Sequence, residues 1–262
     1  MTTLDSRIRC EISEGVARIT IAQPAKRNAV APTMWDALAA HFTRVSSDPA
    51  VRVVVLTGEG EAFCSGSDLE EMDSGADPAA GLARLRRANR MVLAIYNCDK
   101  PVIAAVRGPA VGVGWSLALA CDLIIAGESA RFCQRFVKVG LMPDGGSIFF
   151  LARQLGFARA KDLTFYGDFV SAREALDLAL VNEVAPDEAL EAALAVRTQA
   201  LATGATHAIS LAKRMFRSSL APSLEAFLEQ EEIAQVAAKQ SLDFIEGVRA
   251  SRERRPPIFI GK

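Results

Sequence analysis

Three short apolar runs in the first half of the chain constrain its fold more than any other feature. They cover residues 51–57, 102–106 and 122–126, and Val, Ile, Leu and Ala dominate them. Continuous runs of this length predict buried strands. After residue 145 the patterns become almost entirely helical. This change predicts an α/β core followed by a helical C-terminal region.

Other patterns indicate the remaining elements. Alternating residues at 7–12 and 16–21 predict a hairpin. Pro32 marks the first turn of a predicted helix. Ser171 and Glu174 have the spacing of a capping box. The other predictions are a strand at 181–184, a helix that ends near 97, and helices at 147–154, 187–202, 206–217, 223–239 and 242–252.

Composition excludes several classes of protein. The chain has 262 residues, half of them hydrophobic, and a net charge of −1, so nothing suggests a nucleic-acid partner. The five cysteines lack Cys-x-x-Cys spacing, which argues against a zinc site and a disulfide framework. The most apolar stretch, at 110–127, contains Asp122 and three glycines, so a membrane span is not predicted. With no signal-peptide core at the first residues, we expect a cytoplasmic protein without a bound metal.

Two glycine-containing turns and one acidic segment indicate a chemical site. Residues 62–69 and 100–116 each run from an apolar stretch through glycine into a predicted helix start. Such turns leave backbone N–H groups unpaired, where the helix dipole favours negative charge. Two turns that face one point would hold an oxyanion. Asp144, in the segment Gly-Leu-Met-Pro-Asp-Gly-Gly at 140–146, is the candidate carboxylate for proton transfer beside them.

Other catalytic arrangements find little support. Gly112 and Gly114 follow a strand as in a dinucleotide site, but Leu117 stands where the third glycine would be. No Gly-x-Ser-x-Gly turn is present, and His41 lies on a predicted amphipathic helix. Cys64 is the one thiol in a turn, and a small buried apolar residue is the simpler interpretation of it.

Two aspartates also have structural interpretations. Asp144 precedes a predicted helix, so its carboxylate either caps that helix or carries out chemistry. The apolar neighbours Phe136 and Phe149 favour chemistry, because an apolar site raises the pKa of a carboxyl. For Asp68 the sequence favours a cap on a helix that begins at Leu69 over direct contact with a ligand.

Taken together, these segments resemble the enoyl-CoA hydratase/isomerase (crotonase) superfamily. The matching segments are residues 24–30, 62–69, 100–127, 140–146, 167–184 and 244–250. The resemblance implies an α/β crotonase (ClpP-like) spiral of repeated β-β-α turns at 1–200, which holds the CoA site and the active site. It implies a helical trimerisation region at 201–262. It also implies an acyl-CoA substrate, no separate cofactor, and self-association as a trimer or a dimer of trimers.

The resemblance assigns roles to individual residues. The thioester oxygen would lie between the N–H groups of Ser67 and Val113, and Val113 replaces a common glycine. Asp144 occupies the acidic position that several isomerase members use. The residues expected around coenzyme A are Lys26, Arg27, Ala29, Ala62, Ser65, Gly66, Asp68 and Leu69. The residues expected around the acyl group are Met72, Gly112, Trp115, Ser116, Phe136, Met142 and Phe149.

Two departures from the family's hydratases bear on the reaction. Those hydratases carry two glutamates that position and activate water, whereas this chain has Ser116 and Phe136 at the two positions. Neither side chain can act as a general base, and Phe136 would displace water. Together with Asp144, this combination resembles the ring-1,2-epoxyphenylacetyl-CoA isomerases and the Δ3,Δ2-enoyl-CoA isomerases.

The sequence therefore predicts an acyl-CoA isomerase that shifts a double bond through an enolate. Two alternatives stay open. One is a hydratase or another crotonase reaction that uses a different base, such as Glu70 or Glu71. The other is an acyl-CoA-binding protein without turnover. The polar segment at 69–81 is expected to be mobile beside the ligand.

Overall fold

The computed structural model describes residues 4–68, 70–71 and 77–262. Within them, the larger sheet contains, in spatial order, β1 (Ile8–Ser13), β2 (Val16–Ile21), β3 (Val53–Gly58), β4 (Val102–Val106), β6 (Leu123–Gly127) and β9 (Glu183–Ala185). β1 and β2 form the predicted antiparallel hairpin, and every other neighbouring pair is parallel. Parallel pairs need long crossover connections, which the helices supply.

A smaller sheet continues into the glycine-containing turns. It consists of β5 (Pro109–Val111), β7 (Arg131–Cys133) and β8 (Val170–Ser171). An isolated parallel bridge joins Cys64 to Ala110. The sequence patterns do not predict this sheet, because strands of two or three residues are too short to show a hydrophobic period.

Helices account for most of the second half of the chain. In the part that the structure describes they are α1 (Pro32–Ser47), α2 (Pro78–Tyr96), α3 (Val113–Leu119), α4 (Ser147–Tyr166), α5 (Ala172–Asp177), α6 (Leu190–Ala202), α7 (Thr206–Ser218), α8 (Leu224–Lys239) and α9 (Leu242–Glu253). The capping box is confirmed, since Ser171 Oγ accepts from the Glu174 N–H at 3.2 Å. The predicted end of α4 at residue 154 was wrong. The chain leaves helical geometry only at Gly156, where φ is 73°, and then resumes the helix.

The parallel strands are buried on both faces. Val54 and Leu56 of β3 belong to a core with α1 and α2. Val53 and Val55 belong to a second core on the opposite face, with Leu190 and other residues of α6. All four β3 side chains are at most 1% exposed. This explains why the strand shows no alternation of polar and apolar residues in the sequence.

An ion pair between a buried lysine and a partly exposed aspartate anchors α7 to the sheet. Lys213 Nζ lies 2.6 Å from Asp122 Oδ2 and 3.0 Å from the Lys100 carbonyl oxygen. Asp122 Oδ2 also accepts a 2.7 Å hydrogen bond from the N–H of Val102, the first residue of β4. The Lys213 side chain is only 9% exposed. The pair therefore fixes the C-terminal helices to the N-terminal ends of β4 and β6.

The last two helices expose apolar side chains. No residue of α8 is buried. The exposed apolar residues of α8 and α9 are Leu224, Leu228, Ile233, Val236, Leu242, Phe244 and Ile245. The helical region beyond residue 200 is present, and its separation from a core at 1–200 stays a prediction. Among the described residues, no helix is both long and apolar enough to cross a membrane.

Candidate active site

The segment at 26–30 pairs with the first glycine-containing turn. The Val30 N–H donates to the Gly66 carbonyl oxygen at 2.8 Å, and the Asp68 N–H donates to the Val30 carbonyl oxygen at 3.0 Å. Val30 and Ser67 therefore form a parallel bridge. The pairing places two segments that are distant in sequence at one edge of the smaller sheet.

The first turn also pairs with the second. The Cys64 N–H donates to the Pro109 carbonyl oxygen at 3.1 Å, and the Val111 N–H donates to the Cys64 carbonyl oxygen at 2.9 Å. A Cβ atom at Gly114 would lie 2.2 Å from that same Cys64 oxygen. Only glycine permits so close an approach, so α3 begins directly against the first turn.

The two N–H groups predicted to bind an oxyanion follow these turns. Ser67 comes directly after Gly66, and Val113 is the first residue of α3. Neither N–H group donates a hydrogen bond to another described residue. For Val113 this is expected, since the first N–H groups of a helix have no partner within it. Both groups are available to an acceptor, and their oxyanion role stays a prediction.

The Asp144 carboxylate does not cap α4. The N-cap residue of that helix is Gly146, and no side chain accepts a hydrogen bond there. Asp144 Oδ1 is buried and has no hydrogen-bond partner in the part of the chain described. Of the two interpretations that the sequence left open, capping is therefore not supported.

The turn that carries Asp144 packs against α3. A Cβ atom at Gly145 would lie 3.5 Å from Val113 Cγ2. Gly145 has a φ of 63°, a left-handed conformation that glycine adopts without strain. The residue that follows Asp144 is therefore in contact with the residue that carries one of the two predicted oxyanion donors.

Burial and one cation set the electrostatics of Asp144. Burial raises the pKa of its carboxyl above the ordinary value, and the positive charge of Arg84 acts in the opposite direction. Arg84 lies on α2 with its guanidinium carbon 5.8 Å from the ring centroid of Trp35. A carboxyl of raised pKa is a stronger base once it is ionised. The sequence analysis did not identify Arg84, because nothing local connects residues 84 and 144.

The two positions at which the family's hydratases carry glutamate are filled by Ser116 and Phe136. Ser116 is fully buried on α3, and Phe136 is 8% exposed. The Phe136 ring lies 3.6 Å from where a Cβ atom of Gly112 would stand. Phe136 therefore covers the second turn with an apolar surface and contributes no acid.

The residues predicted to bind coenzyme A lie on the two paired segments. Lys26, Arg27 and Ala29 are on the first segment, and Ala62, Ser65, Gly66 and Asp68 are on the second. Ser65 joins them, since its N–H donates to the Arg27 carbonyl oxygen at 3.0 Å. Leu69, Met72 and residues 73–76 of the segment at 69–81 lie outside the described residues.

Asp68 pairs with a lysine instead of capping a helix. Lys26 Nζ lies 2.7 Å from Asp68 Oδ2 and 2.8 Å from Glu70 Oε2. This lysine lowers the pKa of the Asp68 carboxyl. The predicted helix start at Leu69 lies outside the described residues; the described neighbours Glu70 and Glu71 are not helical, and α2 begins at Pro78. Asp68 Oδ1 accepts from the Glu70 N–H at 3.1 Å, and this local turn replaces a helix.

The residues predicted around the acyl group have different surroundings. Trp115 is 1% exposed and packs on Phe132, with ring centroids 5.6 Å apart. Met142 is 76% exposed, and Phe149 is 39% exposed. A cavity of about 550 Å³ is lined by Phe149 and, among others, by Tyr96, Phe150, Ile209 and Phe216, but not by Asp144. The acyl pocket as a whole stays a prediction.

Cys64 and His41, which the sequence did not favour as a nucleophile or a base, are both buried. Burial raises the pKa of the Cys64 thiol to about 12, so almost no thiolate is present at neutral pH. Burial also lowers the pKa of His41. Their positions agree with packing roles.

Asn28 is an organising residue that the sequence analysis did not identify. Its fully buried carboxamide donates to the Glu59 and Ala62 carbonyl oxygens at 2.9 and 2.6 Å. Its Oδ1 accepts from the Gln23 N–H at 2.9 Å. Asn28 has a φ of 58°, and asparagine tolerates this left-handed conformation better than most residues. Asn28 thereby holds the two CoA-site segments together.

Comparison with known sequences identifies the family. The sequence model described as "Enoyl-CoA hydratase/isomerase" matches residues 11–262. The chain belongs to the enoyl-CoA hydratase/isomerase family. The predicted resemblance is thereby confirmed.

Relatives in the family carry names from both reaction types. A Rhodobacter capsulatus protein named "Probable enoyl-CoA hydratase" is 42% identical over 257 residues, which are 97% of this chain and 98% of the relative. The 1,2-epoxyphenylacetyl-CoA isomerase of Escherichia coli is 35% identical, over 97% of this chain and 98% of the relative. The chain is thus similar along its whole length to a named hydratase and to a named isomerase.

Solved structures confirm the crotonase fold. The enoyl-CoA hydratase from Polaromonas sp. JS666 matches with a TM-score of 0.91 at 33% identity, over 96% of this chain and 99% of that chain. A chain from Thermobifida fusca YX, solved in complex with CoA, matches with a TM-score of 0.81 at 32% identity, over 88% of this chain and 92% of that chain. The chain is therefore an enzyme-family member with an α/β crotonase fold.

Proposed function

We propose that this chain is an acyl-CoA isomerase that shifts a double bond by proton transfer through an enolate. The observation that supports this most is the state of the Asp144 carboxylate. Asp144 is half-buried, the next residue, Gly145, packs against Val113 and Ser116 of α3, and one carboxylate oxygen of Asp144 has no hydrogen-bond partner among the described residues. Ser116 and Phe136 supply no second acid. A single carboxylate suits a reaction that removes one proton and returns it.

In the proposed reaction, Asp144 takes a proton from the carbon between the thioester carbonyl and the double bond. The electron pair left on that carbon forms a double bond to the thioester carbonyl carbon, and negative charge collects on the thioester oxygen. The N–H groups of Ser67 and Val113 bind this oxygen, and loss of one such donor costs about 2.7–4 kcal/mol of transition-state stabilisation. Asp144 then returns the proton to the far carbon of the original double bond. Phe136 keeps water from the enolate.

The proposed ligand is the thioester of coenzyme A. The CoA complex of the Thermobifida fusca relative supports this choice. Lys26 is 38% exposed at its side chain and already lies between the carboxylates of Asp68 and Glu70. We assign Lys26 and Arg27 to the phosphates of the nucleotide. Self-association through the exposed apolar residues of α8 and α9 is part of the same proposal.

The hydratase alternative has support in the name of the Rhodobacter capsulatus relative. It needs a base other than Ser116 or Phe136. Glu70 pairs with Lys26 at 2.8 Å, and Glu71 pairs with Arg7 at 3.0 Å. Both carboxylates are exposed, and each already contacts a cation. A protein that only binds acyl-CoA would have no use for a half-buried carboxylate with one buried oxygen left unpaired, which is costly to fold.

The test is the variant Asp144→Asn with 3-enoyl-CoA as substrate. The asparagine has nearly the same size but cannot accept a proton, so the rate of isomerisation should fall by more than about 100-fold, the usual minimum for a general base. The rise in ultraviolet absorbance of the conjugated thioester measures that rate. Hydration is measured separately, as loss of this absorbance with crotonyl-CoA. The matched control is Asp168→Asn, which changes a 78% exposed carboxylate and should leave the rate unchanged.

Stability distinguishes loss of chemistry from loss of fold. A carboxyl whose pKa is raised in the folded state costs stability as pH rises from its ordinary value of 3.8 through the raised value. Asp144→Asn should therefore be at least as stable as the wild type at neutral pH, and the difference should vanish below pH 3.8. An Asp144→Asn protein that keeps most of its isomerase rate would remove Asp144 from the mechanism. Hydration of crotonyl-CoA by the wild type, without isomerisation, would favour the hydratase alternative.

A further inference from the structure

The turn that carries Asp144 is in direct contact with one serine of α3. A Cβ atom at Gly145 would lie 2.7 Å from Ser116 Cβ and 3.0 Å from Ser116 Oγ. Ser116 is fully buried. Neither the turn nor the serine can move without disturbing the other.

The Ser116 hydroxyl lies within hydrogen-bonding distance of two carbonyl oxygens. They belong to Asp144, at 3.1 Å, and to Gly112, at 3.2 Å. The Gly112 oxygen already accepts the Ser116 N–H at 3.1 Å within the helix. The Asp144 oxygen has a weaker alternative, the Ser147 N–H at 3.3 Å. Because a hydroxyl carries one proton, donation to Asp144 satisfies the acceptor that needs it more.

We propose that Ser116 is a positioning residue that fixes the main chain of Asp144 relative to the oxyanion donor Val113. The inference rests on the proposed function, since it needs Asp144 as the base. Val113 and Ser116 are three residues apart on α3 and therefore lie on one face of the helix. The Ser116 hydroxyl on that face therefore connects α3, which carries the donor Val113, to the turn that carries the base Asp144.

This connection affects rate more than affinity. Reacting groups must be held within about 0.5 Å of their productive positions, and the supporting contacts hold them there. The Ser116 hydroxyl contacts Gly112 and Asp144 and no residue predicted to bind coenzyme A. Although Ser116 was expected around the acyl group, it is fully buried and offers no surface to the thioester. Loss of this hydroxyl should therefore lower kcat while KM for the thioester changes little.

The size of residue 116 follows from the same contact. Serine at this position is fully buried against Gly145, so a longer side chain would push the Asp144 turn away from α3. A large residue at 116 is therefore incompatible with the observed position of the Asp144 turn. Both the hydroxyl and the small volume of serine suit this position.

The test measures kcat and KM for Ser116→Ala and Ser116→Cys. Loss of one hydrogen bond should lower kcat of Ser116→Ala roughly tenfold, the change that corresponds to about 1.4 kcal/mol. Cysteine is similar in size and a weak donor, so its kcat should lie between those of alanine and serine. The matched control is Thr198→Val on α6, which removes a buried helix hydroxyl that donates to Leu194 O at 3.0 Å. Its kcat should equal that of the wild type.

A double variant separates the failure of this inference from the failure of the proposed function. If Ser116 acts through Asp144, then Ser116→Ala adds no further loss to Asp144→Asn. An Asp144→Asn protein of normal rate would overturn the proposed function itself. A large loss in Asp144→Asn, with normal kcat in Ser116→Ala, would overturn only the positioning role. An additive loss in the double variant would also overturn it. Should Ser116→Ala fail to fold, the kcat of Ser116→Cys decides: a reduced value at unchanged KM supports the role, and a wild-type value refutes it.

Discussion

The variant Gly114→Ala tests the geometry of the site without removing any chemical group. The new Cβ atom would lie 2.2 Å from the Cys64 carbonyl oxygen and 2.9 Å from Cys64 Cβ. Real Cβ atoms essentially never come closer than 3.0 Å, so α3 must move away from the first turn by at least 0.8 Å. The obstacle is backbone, so no side-chain rotation relieves it. The shift would separate Val113, on α3, from Ser67, on the turn.

The expected effects on stability and on rate differ in size. Overpacking costs about 1–3 kcal/mol, and the higher helix propensity of alanine offsets about 1 kcal/mol of it. The net loss in the free energy of unfolding should therefore be about 2 kcal/mol or less. A displacement near 1 Å in an active site can lower the rate about 100-fold. Gly114→Ala should remain folded and lose most of its isomerase activity.

The assay combines urea denaturation with initial rates on 3-enoyl-CoA. The matched control is Gly247→Ala on α9, where the added Cβ atom would meet Phe259 at an ordinary 3.5 Å. This control should keep the wild-type rate. A Gly114→Ala protein with a rate within twofold of the wild type would refute the reasoning, because it would show that the close approach of α3 to the first turn is not needed for catalysis.

Two further predictions concern the Lys213–Asp122 ion pair and the charge that acts on Asp144. Lys213→Met leaves Asp122, whose side chain is 30% exposed, without its cation and should lower the free energy of unfolding by about 1–3 kcal/mol in urea denaturation. Arg214→Met breaks a more exposed pair with Asp99 and should cost at most about 1 kcal/mol, and equal losses would contradict the anchoring role. Arg84→Met removes the charge that lowers the pKa of Asp144, so this pKa rises further. Because the base must be ionised, the acidic limb of the pH profile of kcat/KM should move to higher pH, while Arg86→Met on the same helix should leave the profile unchanged.

Much of the fold could be predicted because it depends on patterns within single segments. The bounds predicted for β4 are those observed, and Pro32 does begin α1. Burial on both faces makes β3 a continuous apolar run, which is visible in the sequence. The smaller sheet was missed because its pairing is decided between segments. Cys64 pairs with Ala110, and nothing near either residue indicates the other.

The same distinction applies to the site. Asp144 and the glycine-containing turns could be identified because their motifs are local. The contacts that hold these groups in place could not be identified from the sequence. The Ser116 hydroxyl contacts the Asp144 carbonyl oxygen, 28 residues away, and Arg84, on α2, lowers the pKa of Asp144. Asn28 was overlooked because a buried carboxamide that bonds three main-chain groups looks, in sequence, like any other turn asparagine.

Overall sequence similarity to a relative does not decide which reaction a chain catalyses, because the reaction depends on a few residues of the site. The relatives at 42% and 35% identity are similar to this chain over nearly their full lengths, yet one is named a probable hydratase and the other an isomerase. In this chain Ser116 is fully buried against the turn at Gly145, which leaves little space for a glutamate, and a glutamate at 136 would replace the apolar cover of Gly112. Both positions of the two-glutamate arrangement thus already make packing contacts, one with the Asp144 turn and the other with the second glycine-containing turn. The two-glutamate route to hydration would require changes at both positions 116 and 136, because a single substitution leaves one of the two positions without an acid.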